Sequence, residues 1–148
     1  MKIHQLSLFL ENRPGTLRVP VKALADAGIN LLGLCLADTS EFGILRLIVR
    51  EWERAAAVLR AAGCVVNVTA VLALDVEDRP GGLAGVLELL DKAALEIEYM
   101  YACTSGDRGR KAALIFRFAD PDAALAVLEQ KQINLITPPE LFWRLEGS

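Results

Sequence analysis

The amino-acid sequence predicts an α+β fold in which two βαββαβ units stand in tandem, each an antiparallel sheet with its helices on one face. The first observation is a repeat: ENRPGTL at residues 11–17 returns as EDRPGGL at residues 77–83, an offset of 66 with five of the seven letters unchanged. The second is that strand-like and helix-like patterns follow one another in the same order around both copies. Such a repeat indicates a duplicated structural unit.

A strand precedes each copy of the motif. Apolar residues occupy every second position there, which is typical of a strand with one face on a core. They are Leu6, Leu8 and Leu10 in the first half, and Leu72, Leu74 and Val76 in the second. Both sets keep the offset of 66, so the repeat extends beyond the motif.

A helix follows each copy. TLRVPVKALADAG and GLAGVLELLDKAA have apolar residues at helical spacing, which predicts one core-facing side for each helix. Those residues are Leu17, Val21, Leu24 and Ala25 in the first helix, and Leu83, Val86, Leu87 and Leu90 in the second. We expect Pro20, about one turn into the first helix, to bend it slightly, and Gly28 to end it.

Two strands, a second helix and a last strand complete each half. INLLGLCLAD and GILRLIVR, and then LEIEYMYACT and AALIFRF, are separated by turn-rich residues 38–43 and 105–110, which predicts a hairpin in each half. EWERAAAVLRAAG ends at Gly63, and DPDAALAVLEQ opens with Asp120 and Pro121, a favourable helix start. CVVNV and INLIT are the closing strands.

This order of elements divides the chain into three segments. They are a first unit over residues 1–69, a second unit over residues 70–137, and a short helix with a tail over residues 138–148, where we expect Leu141, Phe142 and Leu145 to face inward. The βαββαβ order makes both units ferredoxin-like. Units this small bury little surface alone, so we expect the two to pack together.

Composition excludes several classes of protein. Of the 148 residues, 53% are hydrophobic, and the formal net charge is −3 without a basic patch, so we expect no nucleic-acid partner. No apolar run is long enough to span a membrane. Cys35, Cys64 and Cys103 are widely spaced in apolar runs, which indicates reduced, buried thiols and a cytoplasmic protein.

The sequence offers no constellation of catalytic or metal-binding residues. The one histidine, His4, lacks a nucleophile near it in the sequence, and the cysteines lack the spacing of a zinc site. We therefore expect no enzyme activity, no metal and no cofactor.

The motif and its surroundings resemble a known family. An N/D-R-P-G-x-L sequence between the first strand and first helix of a βαββαβ unit is similar to the ACT domain, and ENRPG with GIN downstream resembles the regulatory domain of bacterial phosphoglycerate dehydrogenase. The whole chain resembles free-standing tandem ACT proteins of bacteria, which carry no catalytic domain. The resemblance implies a small-molecule sensor, commonly for an amino acid, whose units work in pairs.

The resemblance also implies a ligand site in the first unit. Its residues are Asn12, Arg13, Pro14, Gly15, Thr16, Leu17, Asn30 and Leu31. In the family, loop amides hold the ligand's carboxylate, and a polar side chain at the start of strand two, here Asn30, takes the amino group. The chemistry is reasonable, because the first N–H groups of a helix lack internal partners and attract anions. Two alternatives stay open: RPG is only a good entry into a helix, and Asn30 only terminates one.

The second copy departs from this pattern. Asp78, Gly82 and Glu96 stand where the first copy has Asn12, Thr16 and Asn30. Added carboxylates repel a carboxylate ligand, so we favour the first unit as the primary site. A second site or a pocket wall is the alternative use of Asp78, Arg79, Gly81, Gly82, Glu96 and Tyr99; Tyr99 is otherwise core or interface filler. Leu10 stands where the dehydrogenase relatives carry a histidine, which argues against serine as the ligand.

These observations predict a non-catalytic sensor that binds a free amino acid at the first strand, loop and helix. It would regulate a partner, such as a metabolic enzyme or a transporter, or its own assembly. We expect a homodimer, since symmetric dimers are the commonest assembly. The alternative is a structural or assembly subunit whose ligand site is vestigial, and an enzyme ranks third.

Overall fold

The computed structural model describes residues 1–38, 41–103 and 111–146. It divides into two compact units, named here the N-terminal unit (His4–Thr69) and the C-terminal unit (Ala70–Ser148 with Met1–Ile3). The predicted turn at residues 105–110, and residues 39–40 of the turn at 38–43, lie outside the described residues. None of the described helices is long and apolar enough to cross a membrane.

The N-terminal unit is a sheet with two helices. Its elements in chain order are β1 (Ile3–Glu11), α1 (Arg18–Asp26), β2 (Gly33–Asp38), β3 (Phe42–Ile48), α2 (Trp52–Ala61) and the beginning of β4 (Val66–Glu77). β3 lies between β1 and β2 and is antiparallel to both, with Leu45 opposite Leu8 on one side and Leu36 on the other. β1 and β2 therefore run parallel, and their carboxyl ends lie at the same end of the sheet.

The C-terminal unit repeats this order. After β4 come α3 (Gly82–Lys92), β5 (Ile97–Ala102), β6 (Lys111–Phe118), α4 (Pro121–Gln130), β7 (Leu135–Ile136) and α5 (Pro138–Glu146). β6 lies antiparallel between β4 and β5, and β7 pairs with β4, with Ile136 opposite Ala73. The predicted α+β class with tandem βαββαβ units is confirmed. The last three residues of CVVNV and all of VLALDV, predicted as two strands, lie in the continuous strand β4.

The predicted alternation of apolar residues builds the core of each unit. In the N-terminal unit the buried core includes Leu6, Leu8, Leu24, Leu45, Leu47 and Leu59. In the C-terminal unit it includes Leu72, Leu74, Leu90, Phe116, Phe118 and Leu128. Burying one such side chain stabilises the folded state by about 1.5–3 kcal/mol. These clusters therefore fix which strand faces turn toward the helices.

Helix α1 buries only Leu24 of the four residues that the sequence predicts to face the core. Pro20 and Leu24 are buried, whereas Leu17 and Val21 are 41% and 37% exposed. The helix begins only at Arg18, so Pro20 is its third residue, where a backbone N–H would have no partner within the helix. The proline therefore enters without breaking the helix, and its ring joins Leu24, one turn later, on the core side. Leu17, Val21 and Ala25 turn outward as a result.

The helices of the two units end on different residue types. Gly28 and Gly63 follow α1 and α2 with φ of +71° and +85°, which confirms the predicted helix ends. After α3 and α4 the left-handed position is taken by Ala94 and Gln132, with φ of +55° and +54°. A residue with a Cβ pays about 1–2 kcal/mol in this conformation. The C-terminal unit is therefore strained at two helix ends.

Helix α5 is fixed by its apolar face and an ion pair. Leu141 is fully buried and Phe142 and Leu145 are half-buried, as the sequence predicts. Arg144 donates from Nη1 and Nη2 to the two carboxylate oxygens of Asp75, at 3.0 and 3.3 Å. The hydrogen bond to Asp75 raises the pKa of Arg144, so the guanidinium stays charged against this buried carboxylate.

Candidate functional site

The loop between β1 and α1 is held by its own hydrogen bonds. The Arg13 amide donates to the Glu11 carbonyl at 2.8 Å, and the Thr16 amide donates to the Arg13 carbonyl at 3.4 Å. The Thr16 hydroxyl donates toward the same two oxygens, 2.7 Å from that of Glu11 and 2.9 Å from that of Arg13. Gly15, after Pro14, has φ of +89°, a conformation that favours glycine. RPGT thus forms a tight turn that leads into α1.

Asn12 joins this loop to the ends of β2 and β3. Its backbone amide donates to the Glu41 carbonyl at 3.3 Å, and its side-chain Nδ2 donates to Asp38 Oδ1 at 3.0 Å. Asp38 is the last residue of β2 and lies opposite Gly43 of β3. A Cβ on Gly43 would lie 3.3 Å from both Asn12 Oδ1 and Leu36 Cδ1. The missing side chain of Gly43 therefore lets the Asn12 amide and the Leu36 side chain pack closely over the backbone of β3.

The loop carries an ion pair, Arg13 with Glu11, and lies beside the carboxylate of Asp38. Arg13 Nε pairs with Glu11 Oε2 at 2.8 Å, and both side chains are exposed, so the pair contributes at most about 1 kcal/mol. Asp38 is also exposed and forms no ion pair with any residue that the structure describes. The end of β2 therefore offers a carboxylate whose charge is open to a cationic group.

Asn30 and Leu31 lie at the opposite end of the N-terminal unit from the loop. They precede β2, a strand of six residues that ends at Asp38. Six residues of strand span about 17 Å, so Asn30 is about that far or farther from Asn12. Asn30 is exposed, and Leu31 packs against the core of the unit. Within one unit the structure brings residues 12–17 together and keeps Asn30 and Leu31 away from them.

The corresponding loop of the C-terminal unit is tighter. Gly81 has φ of +87°, as the repeat predicts, but a Cβ on Gly82 would lie only 2.0 Å from the carbonyl oxygen of Glu77. With the offset of 66, Gly82 corresponds to Thr16, whose hydroxyl reaches the carbonyl of Glu11. α3 begins at Gly82 itself, whereas α1 begins two positions later in the motif. The second loop has closed onto the end of its strand.

The other residues suggested for the second unit are divided between two ends of its sheet. Asp78 and Arg79 are exposed in the loop after β4, where Arg79 pairs with Glu77. Glu96 and the half-buried Tyr99 lie at the start of β5. Because β4 and β5 run parallel, the start of β5 is remote from the end of β4. The structure does not bring these two groups together within the unit.

A comparison with protein families relates this fold and its two loops to known proteins. A family model described as an ACT domain pair matches residues 1–143. The chain belongs to the ACT domain pair family. The predicted resemblance to tandem ACT proteins is therefore confirmed.

Solved structures similar to this ACT domain pair span both units. A protein from Bacteroides thetaiotaomicron is 37% identical over 96% of both chains, with a TM-score of 0.86. The regulatory subunit of aspartate kinase from Thermus thermophilus is 16% identical over 86% of this chain and 90% of its own, with a TM-score of 0.59. Aspartate kinase from Synechocystis is 21% identical over 93% of this chain and 28% of its own, with a TM-score of 0.52. At this level of identity, the likeness to the regulatory subunit and to the kinase shows the fold alone. No protein of curated function matches the sequence.

Two residues beside the first loop of the ACT domain pair were missed by the sequence analysis. Asp38 was only the last letter of a predicted strand, 26 positions from Asn12, and Gly43 was only part of the predicted turn. The predicted strand order contained the signal for Asp38. β1 and β2 run parallel on either side of β3, so their carboxyl ends lie at the same end of the sheet. A carboxylate at the end of β2 should therefore approach the loop after β1.

Among residues 1–38, 41–103 and 111–146, no group of three His, Cys, Asp or Glu side chains is placed to hold a metal. The His4 ring stacks on Trp52, with centroids 4.4 Å apart. Burial raises the pKa of the Cys103 thiol to about 11 and also raises that of Cys64. Both thiols are therefore protonated at neutral pH.

Proposed function

We propose that this ACT domain pair is a non-catalytic sensor that binds a free amino acid at the β1–α1 loop of its N-terminal unit. The match to an ACT domain pair over residues 1–143 carries the proposal. The loop at residues 12–17, where Asn12 is held by Asp38 and packs over Gly43, supports this position for the ligand.

The loop suits the carboxylate of an amino acid. Gly15 turns the chain into α1, whose first amides have no carbonyl partner within the helix. An anion at such a helix start gains about 0.3–1 kcal/mol from the dipole when it is exposed. Leu36, 53% exposed and next to Asn12, provides an apolar surface for a ligand side chain.

The N-terminal unit is favoured over the C-terminal unit for two reasons. At Gly82 the second loop lies directly against the carbonyl of Glu77. In the first loop the Thr16 hydroxyl lies between the backbone and the carbonyl of Glu11, so this loop is wider. Asp78 also places a carboxylate where Asn12 offers an amide, and like charges repel. One ligand per chain is the expected stoichiometry.

Regulation would follow if the ligand contacts Asn30 as well as Asn12. One N-terminal unit holds these side chains about 17 Å apart or farther, so such a ligand must lie between two copies of the chain. Binding would then favour the paired arrangement, by no more than the ligand's differential affinity for it. A metabolic enzyme or a transporter that contacts only the paired form would respond to the amino acid.

A thermal-unfolding screen against the twenty standard L-amino acids tests the sensor. A ligand at about 100 times its dissociation constant adds about 2.7 kcal/mol of stability, or about 5–10 °C in Tm for a chain of this size. Asn12→Ala should abolish the shift, and the matched control Asp78→Ala in the second loop should keep it. A shift that survives Asn12→Ala and disappears in Asp78→Ala would place the site in the C-terminal unit and contradict the proposal.

An assembly subunit with a vestigial site is the second candidate. Its support is the exposed apolar side of two helices: Leu17, Val19 and Val21 at α1, and Leu83 and Leu89 on α3. Light scattering after size exclusion, with and without amino acids, separates the two functions. A stable assembly that no amino acid changes, together with no Tm shift in the screen, would replace the sensor with the assembly subunit.

A further inference from the structure

We propose that the outward face of α1 docks on the outward face of α3 in a second copy of the chain, and that charge selects this pairing. The inference goes beyond the proposed function, because the contact forms without a ligand. The two faces occupy equivalent positions in the repeat, with the offset of 66. Each consists of four residues at helical spacing: Arg18, Val21, Lys22 and Ala25 in α1, and Ala84, Leu87, Glu88 and Asp91 in α3.

Both faces carry apolar side chains between charged ones. Val21 is 37% exposed on α1, and Leu87 is half-buried on α3. The α3 face also lines an open groove together with Leu95 and Ile97. An apolar centre with a polar rim is the usual composition of a contact between proteins.

The charges of the two faces are opposite. Arg18 and Lys22 make the α1 face cationic, whereas Glu88 and Asp91 make the α3 face anionic. Lys22 and Glu88 each pair with a residue one turn later in their own helix, at 2.9 and 3.1 Å. Arg18 and Asp91 are exposed and form no ion pair with any residue that the structure describes. These two charges are therefore the ones left for a partner.

An antiparallel arrangement of the two helices brings these charges together. When Ala25 of one copy lies opposite Ala84 of the other, Arg18 lies opposite Asp91 at the far end of the contact, since the spacing of seven residues is the same on both faces. The two small side chains allow the backbones to approach closely at their end. The arrangement thus combines close packing at one end with an ion pair at the other.

Pairing of two identical faces is disfavoured by the same charges. Two antiparallel α1 faces would bring the Lys22 side chains of both copies together and offer Arg18 no carboxylate on the opposite face. Two α3 faces would bring the Glu88 side chains together and offer Asp91 no cation. Like charges at a contact are repulsive and exclude wrong partners, so charge favours the pairing of unlike units.

Sedimentation equilibrium of wild type and three charge-reversal variants tests the proposal. Arg18→Glu and Asp91→Arg each turn the attractive pair into a repulsive one. A carboxylate at the start of a helix and a guanidinium near its end suit the helix dipole, so both variants should fold as wild type does, which far-UV circular dichroism checks. Glu129→Arg is the control for Asp91→Arg, because it makes the same change of charge at an exposed position near the end of α4.

We expect each of Arg18→Glu and Asp91→Arg to dimerise about 10- to 30-fold more weakly than wild type, since an attraction is replaced by a repulsion of similar size. Asp91→Arg reduces the net negative charge of the chain, so a general charge effect would strengthen association instead. An equimolar mixture of the two variants should regain the wild-type dissociation constant, because the new carboxylate of one chain meets the new guanidinium of the other. Glu129→Arg should associate as wild type does, and about 1 M salt should weaken the wild-type dimer.

Three results would overturn the proposal. Wild-type affinity in either single variant would place the contact between copies on another surface. Weakened variants that do not recover in the mixture would show that the two faces do not meet, and a wild type that stays monomeric would show that no such contact forms. None of these results bears on amino-acid binding at the β1–α1 loop, which the Tm screen decides separately.

Discussion

Replacing Gly82 with alanine should destabilise the protein because of one main-chain oxygen. The new Cβ would lie 2.0 Å from the Glu77 carbonyl oxygen and 3.0 Å from its carbon. Nonbonded heavy atoms prefer separations of about 3.5 Å or more, so the backbone has to move by roughly 1.5 Å. A side chain cannot relieve this clash, since the obstructing atom belongs to the last residue of β4.

The magnitude follows from the way in which the loop can relax. The least costly path is to begin α3 two residues later, as α1 does, which gives up the bond from the Gly85 amide to the Gly81 carbonyl. Each such bond contributes about 1 kcal/mol, and overpacking costs about 1–3 kcal/mol. Gly82→Ala should therefore lower the free energy of unfolding by about 2–4 kcal/mol, the sum of these two contributions.

The same helix provides a control of opposite sign. Gly85, the fourth residue of α3, has open space around the position of a Cβ and no left-handed backbone. Gly85→Ala should therefore stabilise the protein by about 0.5–1 kcal/mol. Urea unfolding followed by circular dichroism at 222 nm measures both variants. If Gly82→Ala is as stable as wild type while Gly85→Ala is more stable, the second loop does not close against Glu77.

Two further predictions concern the C-terminal unit. Ala94→Gly should raise stability by about 1 kcal/mol, because it removes the strain of a left-handed backbone at a residue with a Cβ. Gly28→Ala at the equivalent position of the N-terminal unit should lower stability by about 1–2 kcal/mol. Thermal unfolding measures both variants, and a change of Tm in the same direction for the two would contradict this reasoning. Burial raises the pKa of Cys103 from 9.0 to about 11 in the folded state, so its contribution to stability is complete below pH 9 and is lost as the pH rises through 11. Between pH 8 and pH 10 the loss should be about 1.4 kcal/mol. Urea unfolding of wild type and Cys103→Ala at both values checks it, because the variant should lose less stability by that amount.

Local pattern in the sequence was enough to predict the element order. The alternation that starts at Leu6 and Leu72 can form only a strand with one buried face, and Asp120 before Pro121 marks a helix start that the structure confirms through the Asp120 bond to the Ala123 amide at 3.1 Å. The repeated RPG motif likewise predicts two equivalent turns, because Gly15 and Gly81 both need a left-handed φ. These features depend on residues within a few positions of one another.

Contacts between distant residues were decided by the tertiary structure alone. The sequence grouped Asn12 with Asn30, but strand length separates them and the order of the strands puts Asp38 beside Asn12 instead. Helix α1 is apolar on more than one side, so only the tertiary structure could bury Pro20 beside Leu24 and leave Leu17 and Val21 exposed. Gly82 looked like a permissive loop residue until its distance to the Glu77 carbonyl was known. Periodicity reports which side of a segment is apolar, whereas a site depends on which segments end next to each other, and that is a property of the folded sheet.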